Sequence, residues 1–446
     1  PQGRAQAHHV PPESPLEEIV AESTFAGKLQ AQGAVFVQLA NVLDALPAEA
    51  WSKRFFYRLG SEADALESFL DDYGAKYNRA FTLTRELVAS IRWIAQAGIS
   101  LRHFEGRFDS YGLAASLSPS DSTQLRASLA RVCAALAEGN RSLLRQLRAE
   151  YGRAGVVWAN ARLPEHLFAD SGSRQRLPRN VDHEDLQDEN QRIAEIASKY
   201  IAACSMLGEL GQRAIEDPDE RRRKLSTACR EEQARVYEAT VHNLQSAYDT
   251  YIKNTVIESR DARLPRLRGH LSGALHLLEA VTFLTHFVER HDQGVRDESA
   301  DKVIGVLVPR SQVQDIILNE LLRWANRLMQ SGRPMAEELL PTYITLQELQ
   351  VELPKNVRLH ARPAALIVNI VAHHGTPVEM RVEGHRCNAG SILELLVAVG
   401  SHPEARVYVF RGDIHPLRDI GLLFESALGE DGIENLPAAL AYLRNG

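Results

Sequence analysis

The chain has 446 residues, of which 44% are hydrophobic and 24% are charged, and its mean hydropathy is -0.25. A composition of this kind excludes collagen-like, coiled-coil-only and wholly disordered chains, and the length suits two to four domains. The net charge of -7 gives no general reason to expect binding to nucleic acid or to an anionic membrane.

Neither the apolar stretches nor the cysteines point to a membrane or to an oxidising compartment. The longest apolar stretch, residues 364–372, has about half of the roughly 20 residues needed to cross a bilayer. The N-terminal segment contains no apolar region of the kind found in secretory signals. The four cysteines lie far apart without a CxxC pair. We therefore expect a cytoplasmic protein without membrane insertion.

Residues 1–23, which are rich in Pro, Gln, His and Glu, predict a disordered tail. After this tail the apolar residues recur at intervals of three and four, as in Phe36, Leu39 and Leu43. Such spacing lets a helix bury one face while charged residues cover the other. The pattern continues to about residue 341 and predicts an all-α helical bundle region.

A polar run at residues 171–191 divides this helical region and predicts a linker or a long loop. We therefore expect a helical domain at 24–170 and a second helical segment at 192–341, which forms either a separate unit or part of the same bundle. A weak internal echo, LRHFEGRFD at 101–109 and LTHFVERHD at 284–292, is compatible with a duplicated unit.

Each echo carries a His-Phe pair, with His103 in the first and His286 in the second. A hemerythrin-like iron site would need a carboxylate four residues further on, but Arg107 and Arg290 stand at those positions. The sequence also lacks a GxxxxGK[ST] loop and a GxGxxG segment after a strand. We therefore expect no metal and no cofactor, and partly buried histidines that pack or form hydrogen bonds.

After Pro341 the pattern changes from helical to alternating, which predicts strands with one buried face and one face in water. The inward positions predicted for three strands are Leu349, Val351, Leu353, Val378, Met380, Val382, Val407 and Val409. Helices are predicted at 361–372, 391–399, 417–428 and 437–444. The order strand, helix, strand, strand, helix, strand, helix predicts an α+β domain at 345–446, so the chain is expected to be multi-domain.

The candidate reactive site of this domain is the segment Leu359-His360-Ala361-Arg362-Pro363-Ala364. Pro363 falls in the first turn of the predicted helix, where its missing N–H costs nothing, so His360 stands at the helix N-terminus. Free backbone N–H groups and the positive end of the helix dipole form an anion site there. Arg362 adds a cation whose shape matches phosphate oxygens. A neutral imidazole at such a site is suited to accept a phosphoryl group.

The predicted helix 361–372 is followed by His373 and His374. Histidines at the C-terminal end of a helix are placed to bind its last carbonyl groups, so we expect these two to cap the helix. They lie at the end opposite His360 and are not expected to relay its proton.

Two motifs make residues 345–444 resemble HPr, the histidine-containing phosphocarrier of the bacterial phosphoenolpyruvate:sugar phosphotransferase system. They are LHARPA at 359–364 and NAGSILELL at 388–396, in the family's order and at its separation. The resemblance implies an open-faced β-sandwich in which His360 accepts a phosphoryl group on Nδ1 from phosphorylated enzyme I. It further implies that the group passes to a IIA-type or regulatory acceptor, and that Arg362 steadies the phosphate.

The second motif contributes a regulatory serine and a docking surface. By resemblance, Ser391 is the serine that a dedicated kinase phosphorylates in some bacteria, but a serine before ILELL is also a good helix N-cap. Ile392, Leu393 and Leu396 belong to the short helix that docks partners in the family, although some of them must face the domain core instead.

Three positions depart from the family pattern. Arg358 replaces a usual Gly before the Leu-His pair, Gly390 replaces a basic residue, and Glu394 replaces a frequent Gly. These changes leave two functions open. One is an active phosphocarrier that relays its phosphorylation state to the helical region. The other is a helical scaffold that uses the HPr-like domain for docking only, and the sequence names neither the acceptor protein nor the oligomeric state.

Overall fold

The computed structural model describes residues 19–164, 167, 189–211, 213–292, 298–355 and 357–445. The protein is mostly helical (74%), with a small four-stranded antiparallel sheet near the C-terminus. The expected sequence of a helical region followed by a smaller α+β unit is confirmed at this level. The predictions of a tail at 1–23 and of a linker at 171–191 fall largely outside the described residues, but residues 189–191 are helical.

The described residues between 22 and 343 form the helical body. Its first helices are α1 (Glu22–Gln32), α2 (Ala34–Ala45), α3 (Lys53–Asp72), α4 (Thr82–Arg107), α5 (Leu113–Ser116) and α6 (Pro119–Arg153). The next are α7 (Glu189–Gly208), α8 (Pro218–Ala228), α9 (Glu231–Tyr251), α10 (Val256–Arg260) and α11 (Arg263–Asp292). The last are α12 (Glu298–Leu307), α13 (Arg310–Asp315) and α14 (Arg323–Tyr343), with a π-helical segment, Ile316–Leu322, before α14.

The helical body buries its apolar side chains in one continuous core. Phe36, Leu39 and Leu43 are buried in it, as their spacing predicts. Helix α4 packs against α3, α6 and α11, and α14 packs against α7 and α11. Buried residues from both predicted helical segments therefore belong to the same core.

Helix α11 is long and apolar enough to cross a membrane by length and composition alone. The mean hydropathy of its most apolar window is 1.3, and 78% of that window is buried inside the protein. Leu278, Val281 and Phe287 of this helix are part of the core, so burial in the bundle accounts for its composition. The helix contains no long uninterrupted apolar stretch because polar residues such as His270 and Glu279 lie among its apolar residues.

The C-terminal domain, residues 346–445, alternates strands and helices. Its elements are β1 (Leu346–Glu352), α15 (Ala361–His374), β2 (Glu379–Val382), β3 (His385–Asn388), α16 (Ile392–Ser401), β4 (Val407–Asp413) and α17 (Ile414–Glu425). The strands form an antiparallel sheet in the order β1-β4-β2-β3. The helices and one face of the sheet enclose a second core, which includes Ile367, Met380 and Phe410.

The predicted order of elements is observed, but the inward face predicted for β4 is wrong. Tyr408 and Phe410 are buried, whereas 43% of Val407 is exposed. The register explains the difference because Phe410 pairs with the buried Met380 of β2, and a strand has only one set of alternating inward positions. β-Branched residues on the outer face are common on a sheet whose other face is buried.

The helix predicted at the C-terminus is also different in the structure. Residues Ala438–Asn445 form a 3₁₀ segment rather than an α-helix, and α17 starts at Ile414, before the predicted residue 417. Asp413 caps α17 by accepting a hydrogen bond from the His415 N–H at 3.0 Å. A short polar residue that ends a strand can begin the next helix directly in this way.

Candidate functional site

Helix α15 begins at His360 for reasons that lie in the local sequence. His360 has an extended backbone and is the N-cap residue, and its carbonyl accepts the first helical hydrogen bond, from Ala364 N–H at 3.0 Å. Pro363 lies inside the first turn, where a missing N–H leaves no partner unsatisfied. At the other end Gly375 closes the helix in the left-handed conformation (φ 66°).

Two contacts fix the orientation of the His360 ring. Its Nε2 lies 2.9 Å from Glu430 Oε1, and its Nδ1 accepts a long hydrogen bond from the backbone N–H of Arg362 at 3.4 Å. Nε2 therefore carries the proton, and the Nδ1 lone pair faces the free N–H groups of the helix. With 53% of the side chain exposed, the ring is accessible from solvent. An acceptor lone pair beside the positive end of a helix suits capture of a phosphoryl group.

Glu430 is a residue of the candidate site that the sequence does not predict. It follows a tight turn in which Ala427, Leu428 and Gly429 have consecutive positive φ values of 50°, 55° and 73°. Left-handed backbone is unfavourable for Ala and Leu, and buried Leu428 anchors the turn in the core. The reversal returns the chain to the start of α15. Nothing in the sequence around Glu430 connects it with His360, because the contact depends on this turn.

Arg362 and Arg358 are exposed on either side of His360 in the sequence. Within the described part of the chain, neither guanidinium group makes a hydrogen bond or an ion pair. Cations without a protein partner beside an anion site remain available to phosphate oxygens. Arg358, the bulky replacement for the usual Gly, therefore adds positive charge to the same loop without occupying the helix terminus.

Ser391 caps helix α16. Its Oγ accepts a hydrogen bond from Glu394 N–H at 3.4 Å, and Glu394 Oε2 accepts one from Asn388 N–H at 2.9 Å. Glu394 therefore ties the strand end to the helix start, which gives this departure from the family pattern a structural role. Gly390 also has a local reason, because a Cβ there would lie 3.2 Å from Val371 of α15.

The predicted docking residues of α16 divide into two groups. Ile392 and Leu393 are exposed by 43% and 70%, whereas Leu396 packs against the core and is only partly exposed. Val397 is 53% exposed and extends the apolar surface, although it was not predicted. We call Ile392, Leu393 and Val397 the α16 patch. Helix α16 packs beside α15, the helix that His360 caps.

His373 and His374 do not bind the last carbonyl groups of α15, contrary to expectation. His374 Nε2 lies 2.8 Å from Asp419 Oδ2, and the ring of His373 stacks on Tyr442 with centroids 3.7 Å apart. Asp419 also accepts a hydrogen bond from Tyr442 Oη at 2.6 Å. The carboxylate buried nearby outcompetes helix carbonyls as a partner for His374 because it carries a full charge.

His103 and His286, the histidines of the two similar segments 101–109 and 284–292, lie in separate hydrogen-bond networks. His103 Nδ1 lies 2.6 Å from Lys53 Nζ, and its ring lies beside that of His276. His286 Nδ1 lies 2.7 Å from Glu231 Oε2, and its Nε2 accepts a hydrogen bond from Arg290 at 3.0 Å. Both histidines are partly buried and hydrogen-bonded, as expected.

No protein-family model, curated protein or solved structure matches this chain. The resemblance to HPr therefore depends on the two sequence motifs, on the order of elements in the C-terminal domain and on the environment of His360.

Proposed function

We propose that the chain is a phosphocarrier or regulatory protein of a bacterial phosphotransferase system. His360 accepts a phosphoryl group from a phosphorylated enzyme I-type donor and passes it to a IIA-type or regulatory acceptor. The observation that carries this proposal is the His360 ring, whose Nδ1 faces the start of α15 while Glu430 holds Nε2. The C-terminal domain would then be an HPr-like open-faced β-sandwich.

The transfer needs no metal from this chain. The Nδ1 lone pair of His360 attacks phosphorus, a P–N bond forms, and the bond to the donor's imidazole breaks and returns its electron pair to that ring. The phosphoryl oxygens accept hydrogen bonds from the helix N–H groups and from Arg362. The product ring is a cation that keeps its Nε2 proton, and the Glu430 carboxylate stabilises that charge.

The helical body is proposed to sense the state of His360 through α15. About 20 Å of helix separates His360 from the joint between α15 and α7. In this joint Gln191 Nε2 lies 3.4 Å from His374 Nδ1. Glu195 packs so closely on Gly375 that a Cβ at Gly375 would lie 2.5 Å from Glu195 Cγ. A shift of α15 on phosphorylation would therefore change its contacts with α7. The helical body can respond to His360 only if these contacts differ between the two phosphorylation states.

Labelling by phosphoenolpyruvate and a bacterial enzyme I tests the proposal. Wild type should acquire one acid-labile, base-stable phosphate per chain, and His360→Ala should acquire none. His385→Ala is the matched control because it removes another accessible imidazole of the same domain, and it should label as wild type. Unlabelled wild type would favour the alternative, a scaffold that docks partners through the α16 patch without phosphoryl transfer.

A further inference from the structure

A polar cluster in the helical body lies where α3 begins and where α4 packs on α11. Lys53 Nζ lies 2.6 Å from His103 Nδ1, and the rings of His103 and His276 have centroids 4.6 Å apart. His276 Nδ1 lies 3.0 Å from Glu279 Oε2, and its Nε2 lies 3.1 Å from Tyr111 Oη. Three helices and the turn after α4 thus bring together side chains that no sequence motif connects.

Positive charge exceeds negative charge in this cluster. Glu279 is its carboxylate, and it already accepts a hydrogen bond from His276. Lys53 and Arg107 are exposed cations, and among the described residues neither forms an ion pair. Behind Tyr111 lies Arg268, which Asp249 neutralises in a two-bond pair.

The N-terminus of α3 adds to this positive potential. Lys53 is the first residue of a 20-residue helix that has no acidic residue in its first turn and no side-chain hydrogen bond at its N-cap. The partial positive charge of the helix end is therefore not compensated locally.

The ionisation of the cluster reflects this imbalance. Burial, followed by the charges of His276, Lys53 and Arg107, lowers the pKa of His103 to about 4, although Glu279 acts in the opposite direction. Burial and Arg107 likewise lower the pKa of Lys53, against Glu279. His103 is therefore neutral at physiological pH, and the Lys53 ammonium group donates a hydrogen bond to it.

We propose that Lys53, His103 and Arg107 bind a doubly charged tetrahedral oxyanion, such as inorganic phosphate or a phosphate monoester. Two cations cannot remain 2.6 Å apart without a counterion, so in the free protein only one of Lys53 and His103 is charged. An oxyanion that replaces the Lys53–His103 hydrogen bond accepts hydrogen bonds from both groups and allows His103 to take up a proton. Binding and proton uptake are therefore linked, and this site is independent of the chemistry at His360.

Calorimetric titration of the full chain tests this site. Sulfate is the first probe because it stays doubly charged between pH 5 and pH 8. The protein carries His360→Ala and Arg362→Ala, so that the anion site of α15 does not contribute. At pH 6 and constant ionic strength we expect saturable binding of one sulfate per chain. The heat should vary with the ionisation enthalpy of the buffer, because protons are taken up.

Variants locate the anion. Lys53→Gln and His103→Gln should each weaken binding at least tenfold, whereas Lys76→Gln, an exposed lysine elsewhere on the body, should bind as the parent does. If a cluster variant folds poorly, NMR titration of the His103 imidazole in the parent protein replaces it as the test. Bound sulfate should raise the pKa of His103. The affinities for inorganic phosphate and glycerol phosphate then distinguish the two sources of the ligand. Tighter binding of glycerol phosphate would assign the site to phosphate esters, and tighter binding of inorganic phosphate would assign it to free phosphate.

The proposal is overturned by either of two results. One is heat no larger than that of chloride at equal ionic strength. The other is equal sulfate affinity in the parent, Lys53→Gln and His103→Gln, which would place the anion elsewhere.

Discussion

The two ring nitrogens of His360 have different partners: the backbone N–H of Arg362 lies at Nδ1, and the Glu430 carboxylate lies at Nε2. The sequence predicts His360 at a helix N-terminus, because Pro363 and the motif around it determine where α15 begins. It does not predict Glu430, which reaches the ring only because three consecutive left-handed residues reverse the chain. A local sequence pattern predicts the start of α15, whereas contacts between distant segments depend on tertiary packing.

Replacing Glu430 by Gln should slow phosphoryl uptake by about tenfold, equivalent to about 1.4 kcal/mol. The amide still accepts a hydrogen bond from Nε2 but no longer stabilises the cationic ring. The initial rate of labelling by enzyme I measures the effect, with Glu434→Gln as a control on a nearby exposed carboxylate. An unchanged rate in Glu430→Gln would show that the carboxylate plays no part in the transfer.

Replacing Ser391 by Ala should destabilise the protein by about 1 kcal/mol because α16 loses its cap. Labelling of His360 should remain within twofold of wild type. Denaturant titration of the full chain measures the first effect, and Ser401→Ala, at the other end of the same helix, is the control. Unchanged stability of Ser391→Ala would contradict the capping role, and loss of labelling would assign the hydroxyl to the transfer itself.

At the scale of elements, α15 connects the candidate site with the helical body. Its N-terminus presents His360, and its C-terminal end holds His374 against Asp419 of α17 and Gln191 of α7. The helix was predictable from its apolar spacing, but its far end was not. We expected His374 to bind the last carbonyl groups of α15, but its ring instead contacts the carboxylate of Asp419 on α17.

The interaction of Asp419 with His374 should make stability depend on pH. Burial raises the pKa of the Asp419 carboxyl, but hydrogen bonds from His374 and Tyr442 outweigh burial and hold it below its usual value. A carboxyl whose pKa is lower in the folded state stabilises the protein above its unfolded pKa, and this contribution disappears as the pH falls through the folded value. Asp419→Asn should therefore cost about 1–2 kcal/mol at pH 7 and less at pH 3.

Thermal unfolding of the full chain at the two pH values checks this expectation. Asp431→Asn serves as the control because that carboxylate is exposed. If Asp419→Asn destabilised the protein equally at pH 7 and pH 3, the charge of Asp419 would contribute nothing to its contact with His374.

In the whole molecule, the proposed phosphoryl transfer belongs to the C-terminal domain, while the helical body makes up most of the chain. The length predicts two to four domains, and the predicted change in periodicity after Pro341 lies close to the end of α14 at Tyr343 and the start of β1 at Leu346. The packing of both helical segments in one core was left open by the sequence, because amphipathic helices show which face is buried but not which neighbour covers it. A cleft of about 550 Å³, lined by Asn190, Tyr343 and His415, lies between the parts.

Phosphorylation of His360 should change hydrogen exchange in α7 at residues 189–199, which contact the end of α15. Hydrogen-exchange mass spectrometry of the full chain, with and without the phosphoryl group, measures this effect. His360→Ala treated in the same way is the control. Identical exchange in both states would contradict the proposed relay, while leaving the carrier function intact.

In the proposed transfer, His360 accepts the phosphoryl group on the nitrogen that faces α15. ¹⁵N and ³¹P NMR of the full chain, labelled in its imidazole nitrogens and treated with phosphoenolpyruvate and enzyme I, shows which nitrogen carries this group. We expect a phosphorus coupling to Nδ1 of His360 while Nε2 keeps its proton. Phosphorylation at Nε2, at another residue, or not at all would contradict it.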